Sequence, residues 1–122
     1  MKRLTCLIAL LLCLSACGAR QWTRSDTALE IAGEGLTAMD WGQTRSIAHN
    51  PQTWFEMNQY LGAHPTVGRV DTYFISILLL HPIVSYVLPK PYREIFQSGT
   101  IAIEGYWVGH NWENGIRFHF PF

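Results

Sequence analysis

No signature of the common enzyme chemistries is present in this 122-residue chain. It has no H-E-x-x-H or H-x-x-x-H pair to hold a metal from one helix, no G-x-S-x-G nucleophile turn and no Gly-rich phosphate loop. Charge is scarce: 15% of the residues are charged, against a usual value of about 25%. Setting Lys2 and Arg3 aside leaves seven basic side chains against nine acidic ones, a net charge near −2. That excludes the basic face a nucleic-acid partner needs. Internal repeats, low-complexity tracts and long linkers are missing as well. Cysteine is confined to the start, at Cys6, Cys13 and Cys17. What is plentiful is aromatic and apolar: five Trp, five Tyr and six Phe in a chain 48% hydrophobic. Such a composition needs either a dense core or a bilayer around it.

The first residues have the three parts of a secretory signal. Lys2 and Arg3 form the positive start, residues 4–14 the apolar run, and Leu14-Ser15-Ala16-Cys17-Gly18 follows. That last pentad resembles the lipobox of bacterial lipoproteins. The resemblance implies that Cys17 receives a diacylglycerol and becomes the new N-terminus after cleavage, with membrane lipid as its partner. Residues 1–16 are then the signal, 17–24 a lipidated tether, and 25–122 a single domain. Cys6 and Cys13 leave with the signal and Cys17 is acylated, so no disulfide and no thiolate ligand remain. The 106 residues from Cys17 onward suffice for one small domain. Gly18, where the lipoprotein family would place an aspartate for inner-membrane retention, leans toward the outer membrane. Long apolar helices lean the other way, so the choice between the two membranes stays open.

Three helical segments are predicted, giving an all-α three-helix hairpin or bundle, partly embedded in the membrane. The first covers about 25–48, with Ser25 or Asp26 as its cap. At 100° per residue, Leu29, Ala32, Leu36, Met39 and Ile47 form one stripe, and Glu30, Glu34 and Arg45 lie opposite. Asp40 and Gln43 fall on the apolar stripe, with Thr44 at its edge. A carboxylate there costs several kcal/mol, an order-of-magnitude figure, unless it is paired. A loop over 49–65 contains the Asn50-Pro51 breaker and a turn at Gly62. Thr66 then caps a second helix over about 67–88. Its nineteen most apolar residues, 70–88, hold one formal charge, Asp71. They reach roughly 28 Å, close to the ~30 Å hydrocarbon thickness of a bilayer. Tyr73 and Tyr86 sit near its ends, as interfacial aromatics do, and Pro82 is a kink that membrane helices tolerate. The Leu88-Pro89-Lys90-Pro91 run ends it.

A third helix covers about 92–112, where Thr100, Glu104, Trp107 and Asn111 share one face. Gly99, Gly105 and Gly109 permit close approach of a neighbour. The alternating tail 116–120 is a short strand or an extended interfacial segment. Two helices thus bring a carboxylate and an amide each to a face meant for burial, Asp40 with Gln43 and Glu104 with Asn111. The loop adds Glu56 and Asn58. In a bundle with an apolar exterior such groups satisfy one another, as structural glue or as a ligand, ion or proton site.

These same residues carry a wider resemblance. Asp40-Trp41-Gly42-Gln43-Thr44, the run Glu56-Met57-Asn58-Gln59-Tyr60-Leu61-Gly62-Ala63-His64-Pro65, Tyr73-Phe74 and Leu88-Pro89 resemble a family of small bacterial membrane proteins. Its pattern reads D-x-x-Q-T, then E-x-N-P-x-L-G-x-H-P, then an apolar helix ending in L-P. Residues 26–118 are covered, and Gln59 departs from the usual proline. The resemblance implies a fold and a membrane setting, and no activity.

Other chemistry is weakly supported. His49, His64, His81, His110 and His119 are scattered without ligand spacing, so neither a metal nor another cofactor is expected. Ser76 and Ser85 read as hydroxyls bonding helix carbonyls. Asp40 and Glu104 form an acid–base couple only if they share a pocket, and no catalytic residue is assigned. The leading expectation is a non-enzymatic lipoprotein of the bacterial cell envelope with a structural or interaction role, open to an envelope protein partner. Two alternatives stand beside it. One is a membrane-embedded ion- or ligand-handling protein or enzyme using Asp40, Glu56 and Glu104. The other is a soluble periplasmic binding module tethered by lipid.

Overall fold

Thr23 starts the first helix, three residues before an aspartate able to return its hydrogen bond. Asp26 N donates to Thr23 Oγ1 at 3.2 Å and Thr23 N donates to Asp26 Oδ2 at 2.7 Å, a closed capping box. The expected caps, Ser25 and Asp26, therefore lie inside the helix, because Thr23 satisfies its end one step earlier. The computed structural model describes residues 22–120. Within them are three helices, α1 (Arg24–His49), α2 (Val67–Val87) and α3 (Lys90–Glu113), and no strand. The fold is all-α, as expected. Cys17 and the signal lie outside the described residues.

Thr66 caps α2 as its position predicts, accepting from Arg69 N at 3.3 Å. Pro82 lies within α2, which continues through it. Pro89 precedes α3, with Pro91 in its first turn, where a missing N–H costs nothing. This places the start two residues earlier than expected. Gly115, at φ +84°, ends α3; its N–H reaches Trp112 O at 3.1 Å and Ile116 N reaches Asn111 O at 2.9 Å.

Cross-links fix the helix directions. Asp26 and Asp40 of α1 meet Arg93 and Asn111 of α3, so these two helices run parallel. Glu30 meets His81 and Arg45 meets Asp71, so α2 runs antiparallel to α1. Helix α1 packs along both partners, which touch each other far less.

The face α1 buries is largely the charged one opposite the expected stripe, of which Ile47 and Gln43 are buried with it. Its interior residues are Asp26, Glu30, Gly33, Thr37, Gln43, Thr44, Arg45 and Ile47. Met39 and Ala32 of the apolar stripe are exposed, while Leu29 and Leu36 are partly covered. A periodicity of 3.6 defines a stripe but not which side faces in; here small and polar residues pack and the apolar ones look out. The other helices follow suit. Buried on α2 are Val70, Phe74, His81 and Ser85, and on α3 Arg93, Gln97, Val108 and Asn111. Ile75, Leu79, Leu80, Ile83, Ile95, Ile103 and Tyr106 are exposed. Among the described residues a buried apolar cluster, Leu61, Val70 and Phe74, lies where the 50–66 loop folds under α2.

The tail is extended rather than a strand. It lies along α1, with His119 N donating to Gly42 O at 2.9 Å and Arg45 Nε donating to His119 O at 3.1 Å. Gly42 leaves room for the Phe120 ring, whose Cζ would stand 2.7 Å from an added Cβ. Gly42→Ala is expected to push that ring aside and to raise amide exchange at His119 roughly tenfold, with little change in global unfolding. Unaltered exchange would show that the ring does not hold the tail.

Candidate functional site

The loop between α1 and α2 is shaped by two of its own polar side chains. Glu56 Oε1 accepts from Asn58 N at 2.8 Å, and Asn58 Oδ1 accepts from Tyr60 N at 2.9 Å. Asn58 Nδ2 donates to Tyr73 Oη at 3.0 Å, which ties the loop to α2. Glu56 N donates to Ala63 O at 2.8 Å, closing the loop on itself. These bonds swing Glu56 toward the groove between α1 and α3.

There it meets the two helical carboxylates. Asp40, Glu56, Asn58, Glu104 and Asn111 line one cavity of about 460 Å³. Five of the seven polar residues singled out from the sequence are therefore brought together. Asp40 Oδ1 accepts from Asn111 Nδ2 at 3.2 Å, and both Glu104 and Glu56 act electrostatically on Asp40. Glu56 Oε2 and Glu104 Oε2 are buried without a hydrogen-bond partner. The walls are aromatic, from Trp54, Phe55, Tyr73, Phe74 and Trp107, and His110 is the one basic side chain. The other two predicted residues lie outside the cavity. Gln43 is fully buried and donates to Val108 O at 3.1 Å, holding α1 to α3, and Thr44 is buried beside it.

Two ion pairs and a histidine–carboxylate contact went unread in the sequence. Arg45 clasps Asp71 through both carboxylate oxygens, and Trp41 Nε1 donates to Asp71 Oδ1 at 2.8 Å. Arg93 is buried against Asp26 at 3.1 Å and donates to Ser85 O at 2.8 Å and Leu88 O at 3.1 Å, so it also binds the α2–α3 turn. His81 Nδ1 lies 2.7 Å from Glu30 Oε1 and 3.4 Å from Glu34 Oε1. A signal for part of this existed. Continuing the Thr100, Glu104 and Asn111 face back two turns reaches Gln97 and Arg93, both fully buried.

Chemically the cavity offers converging carboxyl groups against aromatic surface, an arrangement suited to a cationic group with an apolar body. It presents no nucleophile with an adjacent base. Compared with protein families, curated proteins and solved structures, the chain gave no match.

Proposed function

We propose that this chain is a lipid-anchored membrane protein of the bacterial cell envelope, held by an acylated Cys17 and embedded through its three-helix body. The observation that carries the reading is where charge meets the outside. Exposed charged residues on the described helices are Arg24, Arg69, Lys90 and Glu113, all within three residues of a helix end. One turn in, Glu94 pairs with Lys90 at 3.6 Å. Between those ends the exterior is Ile, Leu, Val, Tyr and small residues, and the polar groups point inward. A water-soluble bundle places them the other way round, whereas a bilayer favours this arrangement.

Among the described residues α2 alone is long and apolar enough to cross a bilayer by hydropathy, and 22% of its most apolar window is buried. Its 21 residues reach about 31 Å. Helices α1 and α3 fail a hydropathy test because of residues they bury against each other. Exposed hydroxyls on α2 are satisfied within the helix, Thr72 Oγ1 donating to Gly68 O at 2.9 Å and Ser76 Oγ to Thr72 O at 2.6 Å.

The test removes the lipid and keeps the body. Cys17→Ala protein, exported to the envelope, is expected to stay with membranes through an alkaline carbonate wash. Its release as a monodisperse protein without detergent would overturn embedding and leave lipid as the sole tie.

A second reading concerns what the embedded body does. The carboxylate cavity supports a binding role toward an organic cation, because two buried carboxylate oxygens there lack partners and aromatic rings surround them. This reading prefers ligand handling over a purely structural role.

A further inference from the structure

A second polar cluster lies two to three turns away along α1, outside the carboxylate cavity. Its centre is His81 of α2, whose two ring nitrogens have different neighbours. Nε2 lies 2.9 Å from Thr100 Oγ1. The Thr100 hydroxyl donates its proton to Phe96 O at 3.0 Å, so toward the ring it can only accept. Nε2 therefore carries a proton, and in a neutral imidazole Nδ1 is left bare. That nitrogen faces two carboxyl oxygens, Glu30 Oε1 at 2.7 Å and Glu34 Oε1 at 3.4 Å. Three donor atoms thus converge on one point, with room among them for a proton or a cation.

A proton on Nδ1 fills that point only in part. One N–H serves Glu30 and leaves Glu34 Oε1 as a buried oxygen without a hydrogen bond, which is its condition here. It also leaves two carboxylates against a single positive charge. A divalent cation satisfies all three donors and balances both carboxylates, with the imidazole neutral. The surroundings are those a metal ligand set keeps. Thr100 fixes the tautomer and the ring plane of His81, and Gln97 Nε2 donates to Glu30 Oε2 at 2.7 Å, orienting the carboxylate from behind. One further buried group is unspent, Gln97 Oε1 on the amide laid against Glu30, and the Ser85 side chain, one turn along α2 from His81, also acts on the Glu30 carboxylate.

From these contacts we propose that Glu30, Glu34 and His81 form a binding site for a divalent transition-metal ion of the zinc class. Their donor atoms lie within 4.8 Å of one another. An ion with bonds of about 2.0–2.2 Å sets neighbouring donors roughly 3.3 Å apart. The Nδ1–Glu34 distance already matches, and the Nδ1–Glu30 contact opens by about half an ångström. A groove of about 300 Å³ between α2 and α3, walled by Ile77, Leu80, Val84 and Phe96, reaches His81. Sequence spacing hides the set, because its residues come from two helices, 47 and 51 positions apart. Glu104 lines both this groove and the carboxylate cavity, so the two sites are neighbours, while Glu30, Glu34 and His81 are absent from the cavity's lining.

The probe is Co²⁺, titrated into the full acylated chain in detergent micelles and followed by its visible d–d absorption. One equivalent is expected to bind, with Zn²⁺ displacing it. Glu34→Gln, at a side chain 25% exposed, and His81→Asn are each expected to weaken binding roughly tenfold or more. Should His81→Asn fail to fold, Glu34→Gln decides alone. His49→Ala serves as the control, since the His49 and His119 rings lie 4.2 Å apart, tilted, on the exterior and offer a surface competitor. Binding unchanged by His49→Ala and lost with Glu34→Gln supports the site. No cobalt spectrum, a spectrum lost with His49→Ala, or equal affinity in Glu34→Gln overturns it and makes His81 an imidazolium paired with Glu30.

Discussion

Replacing Arg93 by leucine is expected to destabilise the bundle by about 3–5 kcal/mol, the usual cost of stripping one partner from a buried ion pair. Arg93 is 1% exposed and Asp26 0%. Without the guanidinium, Asp26 keeps only its capping contacts with Thr23, and one of its oxygens, Oδ1, already lacks a partner. Three backbone carbonyls, Ser85 O, Tyr86 O and Leu88 O, lose a donor in the same step, and the turn from α2 into α3 loosens. The cost is one of abandonment more than of lost attraction. Asp26→Leu combined with Arg93→Leu is therefore expected to cost clearly less than the two single changes added together. Thermal unfolding of the four proteins in one detergent, followed by helical circular dichroism, checks this. Strict additivity would mean that the pair is not coupled and that Arg93 acts through the carbonyls alone.

Asp26 is visible in the sequence only as a helix cap, and nothing there marks Arg93 as its partner. Three helices, the Thr66 cap, the break at Leu88-Pro89 and the polar face of α3 were legible from periodicity and local chemistry. The burial of α1 was not. A helical stripe of Leu29, Leu36 and Met39 and its counterpart of Asp26, Glu30 and Thr37 repeat with the same period. Assigning the apolar one to the core assumes water outside. Here the charged stripe is the buried one, and Glu30 and Arg45, placed opposite the expected core, lie inside. Asp40 and Gln43 were noticed because they broke the expected pattern, whereas they belong to the one that holds. The carboxylate cavity was half legible for a related reason. Asp40, Glu104 and Asn111 follow from helix faces, but bringing Glu56 to them depends on the turn closed by Asn58 and on Tyr73 across the loop. No periodic signal encodes that closure.

Whether that cavity is glue or a working site has opposite consequences for stability. If its carboxylates hold the bundle together, removing a charge lowers stability. If they are kept for a ligand, they repel each other in the free protein, and removing one brings relief. The second outcome is expected for Asp40→Asn and Glu104→Gln. Asparagine keeps an oxygen for Asn111 Nδ2, and Glu104 Oε2 has no partner to lose. Each substitution is expected to leave unfolding unchanged or to raise it by on the order of 1 kcal/mol, about 4–8 °C in Tm for a chain of this size. Binding is expected to move the other way. Benzylammonium, a cation with an aromatic body, should quench the fluorescence of Trp54 and Trp107, and each variant should weaken it roughly tenfold, the worth of one charge-assisted hydrogen bond. A stability loss above about 2 kcal/mol with either variant would identify a structural network instead. Quenching that persists equally in both would place the ligand elsewhere. The two readouts separate because repulsion among Asp40, Glu56 and Glu104 acts on the empty bundle, while their attraction acts only on a cation that enters it.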